Sequence, residues 1–99
     1  MLRAMSEVEG HQQREVYYEG VVQGVGFRYT ARRVAARFGV TGYVRNLPDG
    51  RVQLVAEGPP EELQRFLAAV RAAMEHYIED VHQTVRPATG RFGDFGVRL

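Results

Sequence analysis

The 99-residue chain has no cysteine, no lysine and no tryptophan, and it carries one serine, Ser6, and one asparagine, Asn46. Each absence removes a class of mechanism. Without cysteine there is no disulfide framework, no thiolate nucleophile and no sulfur-ligated metal site. Without lysine there is neither a Schiff base nor the lysine of a nucleotide phosphate loop. A serine nucleophile would have to come from the first few residues. No apolar run approaches the ~20 residues that cross a bilayer, and no secretory signal opens the chain. The expectation is a soluble cytoplasmic protein that does not engage a membrane. All 13 cations are arginine, but 12 carboxylates face them, for a formal net charge of +1. Such a balance lacks the basic excess of a dedicated nucleic-acid binder. About 100 residues is the usual scale of a single hydrophobic core.

Residues 1–13 are polar and without apolar period, so they read as a flexible tail ahead of a domain over residues 14–99. From Arg14 to Val22, Val16, Tyr18 and Val22 alternate with Tyr17, Glu19 and Val21, as in a half-buried strand. Gln23-Gly24-Val25-Gly26 makes a turn into Phe27, Ala31, Val34, Ala35 and Phe38. Those residues share one helical face, and Gly39 is expected to stop the helix as a left-handed C′ residue. Val40–Asn46 precedes Leu47-Pro48-Asp49-Gly50, and Val52, Leu54 and Ala56 then alternate with Gln53, Val55 and Glu57, which predicts a hairpin. Pro59, Pro60, Glu61 and Glu62 suit a helix start, and Leu63, Phe66, Leu67, Val70 and Met74 continue at helical spacing. Val81, Gln83 and Val85 predict a fourth strand and Pro87–Gly93 a loop, with Phe95, Val97 and Leu99 able to add a short fifth strand. The order βαββαβ suits an α+β two-layer sandwich, two helices covering one face of a mostly antiparallel sheet.

Chemistry is expected at the first strand-to-helix junction. Backbone N–H groups of a Gly-rich turn and the free N–H groups of a helix start converge there, with about half a positive charge from the aligned peptide dipoles. Arg28 stands at the same place, and its planar fork can take two phosphate oxygens. Gly24 and Gly26 equally suit a plain tight turn beside a solvated arginine. A dinucleotide fingerprint fails, with Tyr29 at its third glycine position and Val44 where an acid is required. Asn46, at the end of the second strand, suits a backbone bond in the following turn. His11, His76 and His82 are scattered, with no helical pair for a metal, and read as surface residues. Tyr17, Tyr18 and Tyr43 are either core residues or stacking platforms for bases.

With Gln23, Gly24, Val25, Phe27 and Arg28, then Gly42-Tyr43-Val44-Arg45-Asn46, Asp49-Gly50 and Gly58, the chain resembles an acylphosphatase. Val22–Arg28 and Gly42–Gly50 match that family's two signatures almost throughout. Val21 and Tyr43 depart from commonly found residues, and Met74–Thr89 is less typical. The resemblance implies a ferredoxin-like fold and hydrolysis of the carboxyl–phosphate bond of small acyl phosphates by a monomer, with no cofactor, no metal and no nucleic-acid partner. It implies that Arg28 binds the phosphate, that Asn46 holds the attacking water, and that the backbone of Gln23, Gly24, Val25, Gly26 and Phe27 forms the cradle. The chemistry is consistent with those residue types. A carboxylate leaves without a general acid, so alignment of water and charge neutralisation suffice. The competing reading is a non-catalytic module on the same fold, binding protein or single-stranded RNA, although the RNP1 run of an RRM is absent. A carbamoyl-phosphate-handling domain of a larger maturation protein is a further alternative, disfavoured by chain length.

Overall fold

The computed structural model describes residues 10–99. Its elements are β1 (Gln12–Gly20), α1 (Phe27–Ala35), β2 (Thr41–Asn46), β3 (Val52–Gly58), α2 (Pro60–Met74), β4 (Ile78–Pro87) and β5 (Phe95–Arg98), with a 3-10 turn at Glu75–Tyr77 before β4. One sheet holds all five strands in the order β4-β1-β3-β2-β5, and every pairing is antiparallel except β2 with β5. This is the α+β sandwich expected from the sequence, with the fifth strand present.

Register explains the core. Val16 pairs with Leu54 and Tyr18 with Val52, while Val44 faces Leu54 from the other side. All five side chains are buried together with Phe27, Ala31 and Val34 of α1 and Leu63, Phe66 and Val70 of α2. Burying one such aliphatic or aromatic side chain is worth about 1.5–3 kcal/mol. In α2, Pro60 at the start lacks an N–H that would be free anyway, and Glu61 and Glu62 lie in the first turn against the positive helix end.

Four boundaries differ from expectation. Gln12 and Gln13 belong to β1 rather than to a tail, because Gln13 pairs with Glu57 on one side and Arg86 on the other; the rest of the expected tail, up to residue 9, lies outside the described residues. β1 ends at Gly20, although Val22 beyond it is fully buried. α1 ends at Ala35, where bonds from Arg37 N to Val34 O and Phe38 N to Ala35 O tighten the last turn. Gly39 is therefore not a left-handed cap; its N–H donates to Glu62 Oε1 at 2.9 Å, so Glu62 also closes this turn. Pro87 ends β4 instead of opening the loop.

β3 was expected to bury one face, but all seven of its residues are buried. It lies in the middle of the sheet, and the 88–94 segment folds across the face that the helices leave open. There the Glu57 carboxylate accepts bonds from Gln13 Nε2 at 2.7 Å, Thr89 N at 2.9 Å, Thr89 Oγ1 at 2.8 Å and Gly90 N at 2.9 Å. Burial alone pushes this carboxyl up, but the bonds from Thr89, Gln13 and Gly90 together outweigh it and hold it below the usual carboxylate range. The same segment places Phe92 on Tyr43, ring centroids 5.8 Å apart.

Candidate active site

Gly24 and Gly26 both have φ of +78°, the left-handed region that favours glycine. Gly26 is the N-cap of α1 and no side chain caps the helix. The first helical bond is Thr30 N to Gly26 O at 3.0 Å. The N–H groups of Gly26, Phe27, Arg28 and Tyr29 thus have no partner within the helix, and no acidic residue lies in the first turn to neutralise them. The glycines turn the loop so that this positive end faces solvent.

Asn46 reaches the same place from the end of β2. A cavity of about 220 Å³ is lined by Val22, Gly24, Gly26, Phe27, Arg28, Tyr29 and Asn46. The glycine loop with the start of α1 and the end of β2 therefore meet in one pocket, which local sequence reading of Asn46 as a turn residue did not require. Arg28 is half-buried, and its Nη1 donates to the Arg98 carbonyl at 3.3 Å, tying it to β5. Besides the backbone cradle expected of it, Gln23 uses its side chain. Its Nε2 donates to Leu47 O at 2.7 Å and Arg51 O at 3.0 Å, stapling the glycine loop to the hairpin that follows Asn46. Neither Gln23 nor Val25 lines the cavity, and Val25 packs against the core instead. The hairpin is itself braced. Arg51's backbone N–H and guanidinium hold the Asp49 carboxyl below its usual range. Val22, which opens the first signature, and Tyr29, which carries no distinctive sequence signal, complete the wall.

The tyrosines are occupied. Tyr18 lies in the core against Phe27 at 4.8 Å, where burial pushes its hydroxyl far up, partly offset by Arg71. The Arg51 guanidinium lies 4.6 Å from the Tyr17 ring centroid, and that of Arg98 lies 3.7 Å from Tyr43's.

Fold and pocket together define a small α+β protein in which a helix start, an arginine and an asparagine line one cavity. The acylphosphatase family model matches residues 14–97, and the chain belongs to that family. An acylphosphatase of Nocardia farcinica is 52% identical over 83 residues, 83% of either chain. One of Archaeoglobus fulgidus is 57% identical over 58 residues, 59% of this chain and 65% of the relative; the match thus spans just under two thirds of that relative. The crystal structure of the Bacillus subtilis acylphosphatase superposes with a TM-score of 0.80 at 32% identity, covering 89% of this chain and 99% of the other. The family and these relatives support an enzyme that hydrolyses acyl phosphates over the binding-module reading. No described helix is long and apolar enough to cross a membrane.

Proposed function

We propose that this chain hydrolyses small acyl phosphates to carboxylate and inorganic phosphate, with Arg28 and the amides around Gly24, Gly26 and Phe27 holding the phosphate and Asn46 orienting water. The observation that carries this reading is the shared pocket: an arginine, a helix start with unused N–H groups and an asparagine line one cavity. Pockets for drug-sized molecules run to about 300–1,000 Å³, so a 220 Å³ cavity suits a small anion rather than a nucleotide.

In the reaction, the water oxygen forms a bond to phosphorus while the bond from phosphorus to the acyl oxygen breaks, its electron pair leaving on the carboxylate. Arg28 and the helix amides balance charge on the equatorial oxygens, which is most of what a loose phosphoryl transfer asks of a protein. Asn46 is neutral and can both donate and accept, as alignment of a water requires. Among the described residues, the cavity wall contains no carboxylate, imidazole or thiol. The phosphate's own oxygens are then left to take the water's proton, and the wall offers neither a usual metal ligand nor an acid able to protonate an alkoxide. Alkyl phosphate monoesters should resist, whereas an acyl phosphate carries its own good leaving group.

The runner-up on this fold reads single-stranded RNA on sheet tyrosines. Its platforms at Tyr17 and Tyr43 already carry Arg51 and Arg98, which favours the enzyme. Timed loss of a synthetic acyl phosphate, with and without EDTA, tests the proposal. Turnover equal in both, with none on an alkyl phosphate, supports it; no loss above the buffer blank refutes it, and loss that disappears with EDTA refutes the metal-free mechanism.

A further inference from the structure

At the β1–β4 edge, on the face away from the helices, Glu19 lies directly opposite Asp80, and Tyr17 opposite His82. Two carboxylates facing one another across an antiparallel pair repel, an arrangement that costs stability unless a cation lies between them. His82 Nε2 lies 3.2 Å from Asp80 Oδ2 and 3.5 Å from Glu19 Oε2. One potential ligand atom from each residue falls within 4.8 Å of the others, and among the described residues no other group of three such side chains does so.

We propose that Glu19, Asp80 and His82 form a binding site for a divalent transition-metal ion of the zinc class, separate from the hydrolytic pocket. Zinc bonds of about 2.0–2.2 Å to nitrogen and oxygen place tetrahedral ligands about 3.3–3.6 Å apart. The two separations from the imidazole are already close to that spacing, so an ion can enter with small side-chain adjustment. Asp80 is also oriented: the Val81 N–H donates to its Oδ1 at 2.9 Å, leaving Oδ2 toward His82. Outer contacts of this kind fix a metal ligand in place. The register shift between Glu19 and Gly20 interrupts the ladder beside the cluster, as bulges often do where a side chain is re-aimed.

The donor set selects the ion. Imidazole nitrogen with two carboxylates suits zinc, cobalt or nickel, whereas magnesium and calcium prefer all-oxygen sites. The side chains of His82 and Asp80 are 58% and 59% exposed, so an ion enters from solution and keeps water on its remaining positions. Bound there, it ties edge strand β4 to β1.

The test uses the full chain in a non-chelating buffer at neutral pH. Calorimetric titration with zinc chloride should give one site, and about a ten-fold excess over Kd should raise Tm by roughly 5–10 °C. His82→Gln should weaken binding at least about ten-fold, since loss of even an outer-sphere partner typically costs 10–100-fold. His76→Gln, which removes an exposed imidazole elsewhere, should leave the Tm rise intact. No binding up to about millimolar zinc, equal binding by His82→Gln, or an equal Tm rise with magnesium would each overturn the proposal.

Discussion

Replacing Glu57 by glutamine tests how the 88–94 segment is held across the sheet. The carboxylate is 4% exposed and accepts four bonds, two from backbone N–H groups. The amide introduced by Glu57→Gln keeps one oxygen but turns an NH₂ toward donors, leaving at least one donor without a partner. An unsatisfied buried donor costs about 1–3 kcal/mol, and exchanging charge-assisted bonds for neutral ones costs about 1 kcal/mol more. The loss should be about 2–4 kcal/mol at neutral pH, a fall in Tm on the order of 10–20 °C. Its pH dependence is the sharper test. The folded-state pKa lies below the ordinary value, so the stabilisation is fully present above the unfolded value of about 4.3 and is lost as pH falls through the folded one. Urea midpoints of the parent and Glu57→Gln chains should therefore be far apart at pH 7 and draw together as acid takes the pH below the unfolded value. Equal midpoints at pH 7, or a gap that does not narrow in acid, would refute the reasoning.

Three further perturbations separate site from scaffold. Arg28→Lys should cost at least about 10²–10³ in kcat/KM with the far-ultraviolet spectrum unchanged, because a point charge does not replace a planar fork at a phosphate; near-parental turnover would exclude Arg28. Asn46→Ala should lower kcat much more than it raises KM, since alignment of water is gained in the transition state. A fall in Tm with kcat preserved would make it a turn residue only. Gly42→Ala should destabilise by about 3 kcal/mol or more on a denaturant melt, because φ is +138° and a methyl there would run into the Val55 carbonyl.

Much of this fold is legible in the periodicity, since Val16, Tyr18, Leu54 and the apolar faces of both helices sit where their spacing places them. What escapes is set by neighbours distant in sequence. Gln53 and Glu57 read as the solvent side of a strand, and only the 88–94 segment and the central place of β3 bury them. Gly39 looks like a helix stop, yet tight bonds and Glu62 close that turn without positive φ. β4 runs over ten residues, far beyond the alternation of Val81, Gln83 and Val85, because an exposed edge strand needs few apolar side chains. At the site, Arg28 is legible from its place at the glycine turn and Asn46 from the resemblance alone, whereas Gln23's side-chain staple depends on a hairpin folded back against the loop. The approach of Glu19 to His82 likewise depends on strand pairing, and no local spacing announces it.

The order β4-β1-β3-β2-β5 also bears on how the chain assembles. Val16 must find Leu54 on one side and Gln83 on the other. Loop-closure entropy grows so slowly that the longer search costs only about 0.5 kcal/mol more than the shorter. What differs is the return: β3 brings a strand buried on both faces, while β4 brings one whose residues are mostly exposed. Pairing of β1 with β3 beneath the helices should thus come before that with β4, which adds little burial to hold it. The β4 amides bonded to β1 should exchange with deuterium through local opening, well before those of β3, which wait for the whole molecule to unfold. The sheet is thereby graded, most durable at its centre beside the hairpin that carries Asn46 and most easily parted at the β4 edge.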